Sequence, residues 1–173
     1  MGAEALSDLP GEADSVRPLE QLETGPSHLF SDWPNRELPK VAAGVYTIWE
    51  RDRLIYVGMA GRGMNASNTP SPDEPKKAKG LSARLNSHAS GRRSGDQFCV
   101  YVCDRFVVPR LSLKQQMEVG EGTLSLDGMT RKYIHDRFGY RFVTTADGQQ
   151  AFELERRVQR GELRAGKPVL NPG

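Results

Sequence analysis

The chain has 173 residues, with 24 Lys+Arg against 22 Asp+Glu and a formal charge of +2, a length that suits one domain. No apolar run approaches the roughly 18 residues of a membrane span, and the acidic start MGAEALSDLPGEADSV has nothing of a secretory signal, which points to the cytoplasm. Its two cysteines, Cys99 and Cys103, exclude a disulfide scaffold and a Cys-rich zinc module, and read as small apolar side chains.

The charge is unevenly spread. Residues 1–40 hold eight acids and three bases, a net of −5, and the remainder holds 21 bases and 14 acids, a net of +7. A basic body attracts polyanions, nucleic acid above all. Residues 1–27 read as an acidic, disordered tail, because Pro10, Gly11, Pro18, Gly25 and Pro26 interrupt any helix. Residues 28–173 then form the domain. Its first stretch, 28–40, carries Phe30 and Trp33 and reads as an extended lead-in lying against the core.

GVYTIW (44–49) and LIYVG (54–58) are β-branched and aromatic, and the polar ERDR (50–53) between them predicts a β-hairpin. Residues 59–79, rich in Gly, Asn, Ser and Pro, predict a long loop, and loops of that length tend to be functional or disordered. A helix follows over 78–90, with Leu81 and Leu85 toward the core and Arg84 and His88 four apart on a neighbouring stripe. QFCVYVCDRFVV (97–108) alternates and predicts a third strand. Helices are expected over 110–120, 130–138 and 148–161, a short strand over 140–146, and an irregular end in KPVLNPG. The sum is an α+β fold, a small three-stranded antiparallel sheet flanked by helices.

No phosphate-binding loop, dinucleotide fingerprint, zinc-protease motif or serine-nucleophile motif is present. What stands out is a constellation: two tyrosines in paired strands, an Arg–His pair on the next helix, a Glu on a late helix and an Asn near the end. In this order the sequence resembles the GIY-YIG nucleases over about residues 41–173. Gly44–Val45–Tyr46 matches the first half-motif and Tyr56–Val57–Gly58 the second. Arg84 matches the family's helix arginine, and His88 the histidine that some members carry one turn later. Glu155 in AFELERR matches the metal-binding glutamate, and Asn171 in KPVLNP the closing asparagine. The chain departs from the pattern in its long loop before Arg84 and in the wide gaps on either side of Glu155. The glutamate assignment therefore stays open to Glu153 and Glu162.

The resemblance implies a Mg²⁺- or Mn²⁺-dependent endonuclease that hydrolyses DNA to a 5′-phosphate and a 3′-hydroxyl; DNA is expected ahead of RNA, and the residues themselves leave that choice open. Tyr46 would handle the proton of the attacking water, and Tyr56 would orient that water or the phosphate. Arg84 would bind the scissile phosphate, with His88 assisting or relaying the proton. Glu155 would hold the ion, and Asn171 would orient the hairpin or the groups around the ion. These residue types suit the chemistry: an arginine fork matches phosphate oxygens, and a carboxylate holds Mg²⁺. A tyrosine, with a pKa near 10, is a base at neutral pH only where cations favour its phenolate. Lys76, Lys77 and Lys79 flank the arginine helix and are expected on the DNA backbone, as are Arg62 in the loop and, more remotely, Arg92 and Arg93.

Taken singly, each residue has a plainer reading, as strand packing, solvated helix face or turn. Their joint order favours the nuclease. Two other functions stay open: a catalytically weak nucleic-acid-binding module, and a protein-interaction domain that docks through 59–80. Specificity would come from the long loop, a homodimer or a partner protein, or be absent.

Overall fold

The computed structural model describes residues 12–69 and 79–173. It begins with a helix, α1 (Glu12–Thr24), where the sequence predicts a tail without helix. Pro18 lies inside this helix and removes a donor. Burial outweighs that loss: Leu22 is fully buried, Leu19 packs beside it, and Leu22 O accepts from Thr47 Oγ1 at 2.6 Å. The expected tail over 1–27 is thus corrected from residue 12 onward. The chain then forms a two-residue strand, β1 (His28–Leu29), and a tight turn that buries Phe30. Phe30 and Leu38 tie the lead-in to the core.

The hairpin is longer than expected. Its strands are β2 (Val41–Glu50) and β3 (Arg53–Ala60), and the turn between them is only Arg51–Asp52, with Arg51 at φ 55°. Every residue of β2 from Ala43 to Trp49 is buried, which marks it as the central strand. A second short strand, β4 (Lys79–Gly80), leads directly into α2 (Leu81–Ser90). Gly80 has φ +75°, and a Cβ there would fall on Ala42 O, so only glycine lets α2 start this close to β2.

The predicted strand over 97–108 is instead helical: α3 (Gln97–Val102) continues into a wider π-helical turn, Cys103–Val107. The buried positions explain why. Phe98, Cys99, Val102, Cys103, Phe106 and Val107 recur as pairs every four residues, which is a helical stripe and suits the wider turn. Asp96 caps the start, accepting from Cys99 N. The two cysteines are both buried and free, one turn apart. Then come α4 (Leu113–Gly120), α5 (Leu126–Arg137), the strand β5 (Gly139–Thr145) and α6 (Gly148–Gln159).

The class is α+β, with a small, mainly antiparallel sheet and six α-helices among the described residues. The sheet runs β1-β5-β2-β3, with β4 parallel to the start of β2, five strands where three were expected. Its three long strands are β2, β3 and β5, so the third long strand is 139–145. Helices α2 and α3, the π-helical turn and α5 cover one face, over Tyr46, Ile48 and Tyr140. Helices α1 and α6 cover the other, over Val45, Val57 and Val143. Among the described residues no helix is long and apolar enough to cross a membrane.

Candidate active site

The pairing of β2 with β3 decides how the tyrosines meet. Tyr46 lies opposite Gly58 and Ile48 opposite Tyr56, so the tyrosines are diagonal neighbours on one face, ring centroids 6.4 Å apart. A Cβ on Gly58 would fall on the Tyr46 hydroxyl. The glycine of the second half-motif therefore makes the space that the first tyrosine's phenol occupies.

A cleft of about 330 Å³ opens at this end of the hairpin. It is lined by Tyr46, Tyr56, Arg62, Arg84 and Glu155, together with residues 58–61. Four elements and a loop supply these groups. Helix α2 turns Leu81, Leu85 and His88 inward and leaves Arg84 exposed at the cleft. Helix α6 starts hard against the loop: Gly148 N donates to Met64 O at 2.9 Å, and a Cβ at Gly148 would fall on the Gly61 and Arg62 carbonyls. Two turns further on, the same helix brings Glu155 to the cleft while Ala151, Leu154 and Val158 anchor it to the sheet.

Behind the cleft, Tyr46 Oη meets His88 Nε2 at 2.6 Å, and His88 Nδ1 meets Asp96 Oδ2 at 2.7 Å. All three residues are buried. Asp96 also accepts from Ser87 Oγ at 2.6 Å. Neither Asp96 nor Ser87 is among the residues marked by sequence. The available signal was an Asp three residues ahead of an amide it caps, concealed because the following run resembles a strand.

Burial sets the protonation states. It raises the Tyr46 pKa well above the ordinary phenol value, with Tyr56 adding and Arg84 opposing. Tyr56 is pushed up to about 12, again mainly by burial. The cations expected to favour a phenolate are thus outweighed. Burial also lowers the His88 pKa, outweighing the bond and charge of Asp96, so the ring is neutral at pH 7. For Asp96 burial raises the pKa, but the bonds from His88, Ser87 and Cys99 N prevail and hold it below the usual carboxylate range. Glu155 is raised by burial, against the Met59 backbone bond and the charges of Arg62, Arg156 and Arg84.

The other marked residues fall into place around this centre. Asn171 does not line the cleft. Its amide pairs with Val57 as a backbone would: Val57 N donates to Oδ1 at 3.1 Å and Nδ2 donates to Val57 O at 2.6 Å. Leu170 N and Val169 N donate to Ile55 O and Leu54 O, so the C-terminal segment lies along the free edge of β3. Glu153 is exposed and accepts from Gln149, and Glu162 pairs with Arg157 and Arg160, both outside the cleft. Arg62 lies over the Phe152 ring, 5.5 Å from its centroid. Lys79 is exposed just ahead of α2. Lys76 and Lys77 lie outside the described residues. Arg92 and Arg93 sit past the opposite end of α2, and Arg93 is tied to Asp127 at 2.7 Å.

Two places bear on a metal ion. His88, Asp96 and Cys99 offer ligand atoms within 4.8 Å of one another. That set does not fit an ion as it stands, because His88 and Asp96 are already bonded to each other and to Tyr46 and Ser87. Burial also keeps the Cys99 thiol protonated. Glu155 fits better: a single carboxylate on the wall of a polar cleft, with room for water and phosphate oxygens, is the donor set Mg²⁺ accepts. The chain matches no protein-family model and no curated protein.

Proposed function

We propose that this protein is a divalent-metal-dependent endonuclease of the GIY-YIG type that hydrolyses DNA. One observation carries the reading: Tyr46, Tyr56, Arg84 and Glu155, spread over more than a hundred residues, line a single cleft. Glu155 would hold the ion, Mg²⁺ or Mn²⁺, and when bound it supplies charge neutralisation at the phosphate and the leaving oxygen. The exposed Arg84 binds the scissile phosphate through its planar fork. Tyr46 acts as a proton conduit, since its raised pKa makes a standing phenolate unfavourable. The attacking water gives a proton to Tyr46 Oη as the phenol gives its own to His88 Nε2. The water oxygen bonds to phosphorus, the bond to the 3′-oxygen breaks, and that oxygen takes a proton from solvent water to leave as the 3′-hydroxyl, while the proton held on His88 returns to solvent. Tyr56, at the cleft wall, orients the water or the phosphate. Asn171 serves through the backbone, holding Val57 between Tyr56 and Gly58.

The test is incubation of purified protein with supercoiled plasmid, with Mg²⁺ and with EDTA, beside Glu155→Ala and Tyr46→Phe. Nicking that needs the metal and is lost in both variants is the expected result. Retained plasmid binding without cleavage, on branched and single-stranded substrates too, makes the protein a nucleic-acid-binding module instead.

A further inference from the structure

We propose that Asp96 is a positioning residue of this site: it fixes the tautomer of His88 and so aims the Tyr46 hydroxyl. Its catalytic consequence rests on the nuclease reading, but the tautomer itself does not.

The argument is one of donors and acceptors. An ionised Asp96 only accepts, and its Oδ2 faces His88 Nδ1 at 2.7 Å, so Nδ1 carries the proton. In the neutral ring Nε2 is then a bare lone pair. Tyr46 Oη, 2.6 Å away, must donate to it. Every hydrogen bond in the set thereby acquires a direction: Ser87 and His88 both point at Asp96, and Tyr46 points at His88. The lone pairs of Tyr46 Oη are left for a proton arriving from the cleft. When that proton arrives and the phenol proton moves to Nε2, the imidazolium forms against a carboxylate already in place.

A purely structural role explains less. Asp96 caps α3 through Oδ1, with Cys99 N at 3.3 Å. A serine or threonine would cap as well without burying a charge. The second oxygen is spent on Ser87 and His88, and a buried carboxylate there is costly unless something needs its charge. The titratable and charged groups facing His88 are Tyr46 and Tyr56 from the hairpin, Asp96 and Cys99 from α3 and its cap, and Arg84 from its own helix. Asp96 is the one carboxylate among them.

The experiment uses the full chain, labelled with ¹⁵N-histidine. It has three histidines, and a His88→Gln spectrum assigns the one of interest. The expected result at pH 7 is a His88 ring protonated at Nδ1. In Asp96→Asn, whose amide keeps the cap but also offers a donor, the proton moves to Nε2 in part or whole. Plasmid nicking by that variant falls roughly 10²- to 10⁴-fold in kcat, the range for a misdirected acid–base group, with KM unchanged. A wild-type ring protonated at Nε2 overturns the proposal, and so does an Asp96→Asn protein that keeps both tautomer and rate. If Asp96→Asn does not fold, by circular dichroism, the wild-type spectrum still decides. Wild-type protein with the stated tautomer but no cleavage counts against the nuclease reading and supports the tautomer assignment.

Discussion

Gly58 shows how much a single position decides. It has no side chain, and the space this leaves is where the Tyr46 hydroxyl sits. Gly58→Ala must push that ring off His88 or bend β3. The expected cost is about 1–3 kcal/mol of stability, as for other overpacked sites, with cleavage reduced roughly a hundredfold. Urea unfolding and nicking rates measure the two. His88 and Asp96 give a second residue-level expectation. Both pKa values are lower in the folded chain, so the unfolded chain binds more protons on acidification and stability falls. For His88 the loss starts below about pH 6.5, its ordinary value, and continues to its lowered folded value. For Asp96 it starts below about pH 3.9. Melting temperatures taken from pH 8 to pH 5 should fall in the wild type and fall less in His88→Gln.

At the scale of the element, the C-terminal segment behaves as a further strand. Asn171 supplies both a donor and an acceptor to Val57, in a place where the following Pro172 has no amide hydrogen to give. Asn171→Ala removes two bonds and should cost roughly 1–3 kcal/mol. Because Val57 lies between Tyr56 and Gly58, the variant should lose kcat more than substrate affinity. Faster amide exchange at Val57, read by NMR, would accompany it. The same scale shows what local pattern reveals. The hairpin and the helices α2, α5 and α6 are readable from periodicity and turn residues. The stretch 97–107 is not, because Phe98, Val100 and Val102 satisfy an alternating pattern while the true buried set is paired every four residues. The cap at Asp96 and the exposed pair Asp104–Arg105, which breaks the alternation, separate the two, and both are weak signals in a short apolar run.

For the whole molecule, the net positive charge of residues 41–173 makes salt dependence the test of the proposed DNA binding. Binding of a plasmid fragment, measured by fluorescence anisotropy with EDTA present, should weaken about a hundredfold between 50 and 200 mM salt if about four phosphates are contacted. Arg62→Ala, at the cleft, should reduce both the affinity and this salt slope. Arg93→Ala should change neither, because its guanidinium is held by Asp127 and lies beyond the far end of α2. A docking surface built from apolar groups would show almost no salt dependence. Equal effects of Arg62→Ala and Arg93→Ala would mean that the DNA follows another path.

The types and order of the residues gathered at and behind the cleft, and the hairpin that carries two of them, can be read along the chain. These are matters of local spacing: two tyrosines ten apart, an Arg and a His one helical turn apart. The rest depends on contacts between distant segments. They made a helix of residues 12–24, because Leu22 found a buried place that outweighs Pro18. They placed β5 rather than 97–108 in the sheet. They set Glu155, not Glu153 or Glu162, on the cleft wall, and they brought Asp96 to His88. Burial and pairing between distant segments are set by what each segment meets, and no window of neighbouring residues contains that information.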